Sequence, residues 1–161
     1  MIELNLVGVR VELPSNQPIV LLREREGERY LPIWIGAMEA TAIAFALQGI
    51  TTARPMTHDL MKNVLEEVGV HVERILITEL KEGTFYAVIQ MSQNGSRYEI
   101  SSRPSDAIAL AVRLNVSIFA NEEVLTEASI VIKDDEEQEV EKFREFLDQV
   151  TPEDFAKGED S

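Results

Sequence analysis

Two segments of the sequence combine the residue types that a phosphate-binding or metal-binding site needs. Residues 54–60 read Arg-Pro-Met-Thr-His-Asp-Leu, and residues 102–107 read Ser-Arg-Pro-Ser-Asp-Ala. Each segment places an arginine before a proline, and then an acid where the first turn of a helix is expected. Arginine binds phosphate through paired hydrogen bonds, whereas carboxylates and histidine hold divalent metals or transfer protons. The two segments are therefore the first candidates for a functional site.

A hydrolytic site built on these segments would also use Glu39, the one charged residue in a predicted Ala-rich helix. Carboxylates would bind Mg²⁺ or Mn²⁺, a histidine would act as base or ligand, and arginines would hold the substrate phosphate. The hypothesis assigns catalysis to His58, Asp59 and Asp106, metal binding to Glu39, Asp59 and Asp106, and substrate binding to Arg54 and Arg103.

The same residues also fit a purely structural role. An acid in the first turn of a helix interacts favourably with the helix dipole, by about 0.3–1 kcal/mol. If Asp59 and Asp106 each pair with an arginine, those ion pairs explain both motifs and no metal is needed. From the residues alone, helix capping is the favoured interpretation of His58 and Asp59. For Arg54 and Arg103, phosphate binding and pairing with the carboxylates stand about equal, and the pairing of the carboxylates decides between them.

The composition limits the classes of protein and of site. A chain of 161 residues, 45% of them hydrophobic, is long enough for one domain with its own core. Because the chain has no cysteine, disulfides, thiolate metal sites and a catalytic cysteine are excluded. No apolar run approaches the roughly 18 residues of a membrane span. The first residues do not resemble a signal peptide, so we expect a cytoplasmic protein.

Charge is distributed unevenly along the chain. Residues 1–121 contain 14 acids and 11 bases, whereas residues 122–161 contain 15 acids and only 4 bases. Proteins that bind nucleic acid tightly usually present a basic face, and the sequence shows no basic stretch. Any contact with nucleic acid would therefore depend on a local cluster of arginines.

The pattern of apolar residues predicts an α+β fold, with a mixed or largely antiparallel sheet and helices packed around it. Alternation changes phase near Gly8, which predicts a β-bulge, and Asn94-Gly95 predicts a tight hairpin. The predicted strands are residues 2–13, 19–22, 29–35, 71–80, 84–91, 97–101 and 116–120. The predicted helices are residues 37–47, 57–68, 104–114 and an acidic amphipathic helix at 136–149.

Three further predictions concern packing and domain organisation. Trp34 stands between two isoleucines in a predicted strand, which indicates core packing rather than stacking on a base. The apolar face of the second helix is predicted to comprise Leu60, Met61, Val64, Leu65 and Val68. We divide the chain into a domain of residues 1–133 and an acidic C-terminal segment of residues 134–161.

The order of the motifs resembles that of the bifunctional nuclease domain family of bacteria and plants. The matching segments are residues 29–36 with Glu39, 54–60, 83–87 and 102–107. The resemblance covers about residues 2–133 with matching spacing, plus a looser match near residues 143–147. It implies an α+β domain, and the founding plant member was described as degrading both RNA and DNA.

The resemblance implies a nuclease that acts on RNA and DNA with little sequence preference and is assisted by a divalent metal (Mg²⁺ or Mn²⁺). The alternative is a non-catalytic interaction or regulatory module that uses its acidic C-terminal helix, which the charge distribution favours. Nucleic acid, both RNA and DNA, is the substrate if the protein is a nuclease, and it has no such role if the protein is an interaction module. Apolar surface on the first strands and the Ala-rich helix also suggests a homo-oligomer.

Overall fold

The structure is a computed structural model that describes residues 1–12 and 16–132, and these residues form one mixed sheet covered by helices. The α+β prediction is confirmed. The strands are β1 (Ile2–Glu12), β2 (Gln17–Glu24), β3 (Arg29–Trp34), β4 (His71–Lys81), β5 (Thr84–Gln93), β6 (Ser96–Ser102), β7 (Ser117–Ala120) and β8 (Ile130–Val131). The helices are α1 (Ala37–Leu47), α2 (Thr57–Glu67), α3 (Pro104–Leu114) and α4 (Glu122–Ala128).

The sheet order is β6-β5-β4-β7-β1-β2-β3-β8, and only the pair of β4 and β7 is parallel among the described strands. Because α3 connects β6 to β7, the chain crosses over the sheet there and returns between β4 and β1. The register of β1 against β2 shifts between Leu6 and Gly8, so the predicted bulge is confirmed. Asn94 and Gly95 both have positive φ (50° and 82°), as a two-residue hairpin turn requires.

One face of the sheet carries the hydrophobic core. Alternate residues of the strands, such as Ile75 and Ile77 of β4, are fully buried against the helices. All four described helices contribute side chains to this single cluster, and α3 lies at its centre because it packs against both α1 and α2. The sheet and α3 therefore fix where the helix starts lie.

The packing prediction for Trp34 is wrong, because its side chain is 50% exposed. Leu31 and Ile33 of the same strand face the core, so the two-residue period of the strand turns Trp34 to the opposite face. The predicted apolar face of α2 is also too wide. Met61 and Leu65 pack against the core, whereas three residues of that predicted face are exposed: Leu60, Val64 and Val68.

Between Asn121 and residue 133 the sequence pattern predicts no element, but the structure adds α4 and the short β8. Val124 and Leu125 of α4 are buried in the core, and β8 pairs with Arg29 and Tyr30 of β3. The predicted helix at 136–149 and the segment of residues 134–161 lie outside the described residues. Within the described part of the chain, no helix has the length and hydropathy to cross a bilayer.

Candidate functional site at three helix starts

The first turns of α1, α2 and α3 meet at one end of the helical layer. Glu39 lies in the first turn of α1, His58 and Asp59 lie in the first turn of α2, and Asp106 lies in the first turn of α3. Hydrogen bonds between these turns, described below, bring them together. Residues that are 48 and 64 positions apart in the sequence therefore become neighbours.

Arg103 is the hub of this arrangement. It precedes Pro104, which disfavours helical backbone at position 103 and opens the helix at the next residue. Its Nε and Nη2 atoms donate to Oδ2 of Asp106 at 3.0 and 2.8 Å, and Nη2 also donates to Oε1 of Glu39 at 2.6 Å. These two carboxylates raise the pKa of the Arg103 guanidinium, Glu39 most strongly. Arg103 stays a cation in this setting, with its side chain 64% exposed.

His58 completes the cluster that we call the Arg103 network, which comprises Glu39, His58, Arg103 and Asp106. His58 is buried, and its Nε2 lies 2.9 Å from Oδ1 of Asp106. Burial acts to raise the pKa of Asp106, but hydrogen bonds from His58 and Arg103 outweigh burial, and the net pKa is lowered. Because an ionised carboxylate only accepts hydrogen bonds, we place the His58 proton on Nε2, which leaves Nδ1 as the basic nitrogen.

Asp59 belongs to a second ion pair, which it forms with Arg113 of α3. Its Oδ1 accepts a hydrogen bond from Nε of Arg113 at 2.7 Å, and its Oδ2 accepts one from the backbone N–H of Met56 at 3.1 Å. The bond from Arg113 is the main cause that lowers the pKa of Asp59. Arg113 also donates to the backbone carbonyls of Ala109 and Ala42, so it joins α1, α2 and α3.

Arg54, the second predicted phosphate ligand, does not join either cluster. It lies in the exposed connector between α1 and α2, and within residues 1–12 and 16–132 it forms no ion pair. The structure thus brings together four of the six predicted site residues, places Asp59 beside them with a different partner, and leaves Arg54 apart.

The three predicted metal ligands are divided between two arginines. Glu39 and Asp106 both bind Arg103, whereas Asp59 turns to Arg113. In the part of the chain that the structure describes, no group of three histidine or acidic side chains is arranged to hold a metal ion. The three carboxylates therefore do not fit a shared metal site in this arrangement, and we assign no chemical step to a metal held by them.

Arg113 is the important residue that the sequence interpretation missed. It stands at the end of α3, where a basic residue is ordinarily explained by the helix dipole, yet its side chain is only 7% exposed. A signal was present, since Arg113 is the one charged residue between Asp106 and Asn115 in an apolar helix. An isolated charge of this kind, like Glu39 in α1, requires a partner when it is buried.

Comparison with known proteins agrees with the resemblance in the motifs. The model of the bifunctional nuclease domain family matches residues 20–133, which is most of the chain. An uncharacterized protein of Mycobacterium tuberculosis is 47% identical over 162 residues, and the match covers 95% of this chain and 97% of that protein.

Plant relatives match more distantly and over a shorter part of their own length. A protein of Arabidopsis thaliana named Bifunctional nuclease 2 is 30% identical over 115 residues, which cover 68% of this chain and 35% of the plant protein. Its namesake in rice (Oryza sativa subsp. japonica) is 29% identical over 118 residues, covering 71% of this chain and 36% of the relative. The matched family model spans all the residues of both ion-pair clusters. On these matches, the chain belongs to the bifunctional nuclease domain family.

Proposed function

We propose that the protein is a nuclease that hydrolyses phosphodiester bonds in RNA and DNA, with its site at the Arg103 network. Membership of the family and the names of the plant relatives support the reaction class. The observation that carries the choice of site is the exposed Arg103 guanidinium, held rigidly beside the pair of His58 and Asp106. A fixed cation next to a proton-transferring pair is what phosphodiester hydrolysis requires.

Arg103 is the group best placed to contact a substrate phosphate. Its Nε and Nη2 atoms are occupied by carboxylates, whereas within the described residues its Nη1 atom makes no hydrogen bond. Backbone N–H groups at the three helix starts add positive potential nearby. The two carboxylates oppose this potential, so they serve to orient the guanidinium and limit how strongly a phosphate binds in the ground state.

His58 and Asp106 would form the proton-transferring pair of the site. Asp106 fixes the ring by accepting the Nε2–H, which leaves Nδ1 as the nitrogen that would accept a proton from water. Asp59 would take no part in proton transfer, because its carboxylate is bound by Arg113. Its role would be to hold the start of α2, and therefore His58, in place. The assay described below measures whether hydrolysis requires Mg²⁺ or Mn²⁺.

The pairing of the carboxylates favours a second candidate function. Each of Glu39, Asp59 and Asp106 is bound to an arginine, which is the arrangement expected if these motifs serve stability alone. In that case the protein is a non-catalytic interaction module, and its partner binds elsewhere on the surface. The two candidates differ in one measurable respect, namely whether Arg103 and His58 matter for activity beyond their effect on stability.

The test is degradation of labelled single-stranded RNA and DNA by purified protein in Mg²⁺, Mn²⁺ or EDTA. Wild type is compared with His58→Gln and Arg103→Lys, and with Arg97→Lys as a control, because Arg97 is an exposed arginine on the edge strand β6. We expect His58→Gln to lower the rate about 10²–10⁴-fold, the usual contribution of general acid–base catalysis.

The control variant decides what each result means. Activity that falls in the two site variants but not in Arg97→Lys, at matched melting temperature, supports the nuclease and this site. Equal activity in all four proteins places the activity at another site or in a contaminant. No activity in any protein under any metal condition rejects the nuclease and favours the interaction module.

A further inference from the structure

The sheet has a second apolar face that lies opposite the helices. Its residues alternate with the core residues of the same strands, and none of them belongs to the core cluster that includes all four described helices. Leu21 opposes Pro32 in one group, and Leu76 stands between Val88 and Phe119 in another. Strand β1 separates the two groups, with Gly8 opposite Leu21 and Glu3 opposite Phe119. The outer sheet face, as we call it, comprises Ile19, Leu21, Tyr30, Pro32, Trp34, Leu76, Val88 and Phe119.

Three arginines stand on the same face as these apolar residues. Arg10 opposes Ile19 in the ladder, Arg23 lies with its guanidinium 5.3 Å from the ring centre of Tyr30, and Arg74 lies 5.9 Å from that of Phe119. The Nε of Arg23 is buried and has no hydrogen-bond partner within the described residues. A buried unpaired donor is costly, so this face is suited to receive carboxylate groups.

Two side chains on the outer sheet face are more buried than their position explains. Leu21 is 7% exposed and Tyr30 is 5% exposed, although neither belongs to the core cluster under the helices. Neighbouring strands alone leave the middle of a sheet face open to solvent on one side. Arg23 covers part of the Tyr30 ring, and Trp34 on the same face is 50% exposed, so the low exposure marks the region around Leu21 as the covered part of this face.

The chemistry of residues 134–161 is complementary to the outer sheet face. This segment contains 12 acids and only 3 bases, which suits the three arginines of the face. The same face also carries Glu3 and Glu99, which accept hydrogen bonds from Arg25 and Gln90. Its sequence predicts an amphipathic helix over 136–149, whose apolar residues would meet the apolar residues of the face. The apolar positions in and just after this predicted helix are Val140, Phe143, Phe146, Leu147 and Val150.

The point where the segment begins also fits. It follows β8, whose Ile130 opposes Tyr30 and whose Val131 opposes Arg29 on the neighbouring strand β3. From β8 to β4 is five strand spacings, or about 24 Å at about 4.8 Å each. A helix of about 14 residues is about 21 Å long at about 1.5 Å per residue, so it would cross most of the face between these strands.

We propose that residues 134–161 dock in cis on the outer sheet face, with apolar side chains over Leu21 and acidic side chains toward Arg23 and Arg74. Attachment within one chain gives the segment an effective concentration in the millimolar range, which a separate partner must exceed. Nucleic acid is the less favoured occupant, because the nearby segment carries strong negative charge and would compete for the same arginines. The proposal is independent of the nuclease site, which lies on the helical side.

The absence of cysteine makes a single introduced thiol a specific probe. Leu21→Cys reports on the outer sheet face, and Leu60→Cys, at an exposed position of α2, is the control. Each is made in the full chain, alone and together with Phe143→Asp/Phe146→Asp. We expect the disrupting pair to make the thiol at position 21 react about tenfold faster with a thiol reagent, equivalent to about 1.4 kcal/mol of protection. The rate at position 60 should not change.

A conservative pair and a dilution series distinguish docking in cis from unfolding and from dimer formation. Phe143→Leu/Phe146→Leu keeps apolar contact and should retain the protection, which separates docking from general unfolding; circular dichroism confirms that each variant is folded. Protection that is lost on dilution, together with a doubled mass in light scattering, would mean that a second copy supplies the segment and would overturn docking in cis. Equal reactivity at position 21 in all variants would overturn docking altogether.

Discussion

Replacement of Arg113 by methionine tests whether this buried arginine holds the three helix starts together. The substitution keeps an apolar side chain in place of the aliphatic stem and removes the guanidinium. It deletes the 2.7 Å bond to Asp59, the 2.9 Å bond to the carbonyl of Ala109 and the 3.0 Å bond to that of Ala42. Arg113 is 7% exposed, so few of these interactions are replaced by water.

The magnitude follows from these contacts. Hydrogen bonds to charged groups contribute about 1.5–3 kcal/mol each, and removal of one partner of a buried pair costs about 3–5 kcal/mol. Asp59 is 38% exposed, so solvent screening reduces its share. We therefore expect the free energy of unfolding to fall by about 2–4 kcal/mol in Arg113→Met. For a protein of this size a loss of about 3 kcal/mol lowers the melting temperature by roughly 6–12 °C.

The assay is urea and thermal unfolding at neutral pH, with Arg97→Met as the control. Arg97 lies exposed on the edge strand β6, and its replacement should change stability by less than about 0.5 kcal/mol. A double-mutant cycle with Asp59→Asn should give a coupling of about 1–2 kcal/mol between Asp59 and Arg113. A loss for Arg113→Met that is no larger than that for the control, or a coupling near zero, would refute the reasoning.

Three other predictions test the remaining contacts. The pKa of Asp106 is lowered, because hydrogen bonds outweigh the raising effect of burial. The stability advantage of wild type over Asp106→Asn should therefore be complete above about pH 4 and should shrink at lower pH. Urea unfolding at about pH 7 and about pH 3 measures this difference. In Gly36→Ala the added Cβ would collide with the carboxylate of Glu39, so we expect the free energy of unfolding to fall by up to about 1 kcal/mol. This loss should disappear in a Glu39→Ala background, and melting temperatures measure both effects. Glu122→Gln removes the charged partner by which α4 is joined to Arg29 of β3. It should increase amide exchange in α4 and β8 and leave the global melting temperature nearly unchanged.

Local signals in the sequence predict most of the elements. Pro104 opens α3 where the proline rule places it, and the Asn94-Gly95 turn forms because those residues accept positive φ. The order of the strands in the sheet, in contrast, cannot be predicted from local signals. The parallel pairing of β4 with β7 depends on how α3 packs after the crossover, and four residues of β7 carry no signal that identifies this partner.

The site is predictable only in part, for a physical reason. Arginine has a long side chain that reaches partners far along the sequence, so spacing predicts where Arg103 and Arg113 begin but not which carboxylate each one reaches. Arg103 bridges to Glu39, 64 residues away, and Arg113 bridges to Asp59, 54 residues away. The sequence indicated that carboxylates and arginines meet near the helix starts, and it could not distinguish Arg54 from Arg113 as the second partner.

The two arginine clusters are built differently, and this difference separates a catalytic role from a structural one. The Arg113 side chain is only 7% exposed and donates to Asp59, Ala109 and Ala42, so it acts as a structural link between helices. Arg103 makes equally short contacts but remains mostly exposed, and its placement leaves part of a charged guanidinium facing solvent. An exposed ion pair contributes little to stability, about 0–1 kcal/mol, so stability alone gives weak reason for two carboxylates to orient Arg103. We therefore expect Arg103→Lys to change stability much less than Arg113→Met, and any effect of Arg103→Lys on phosphodiester hydrolysis would then report function rather than folding.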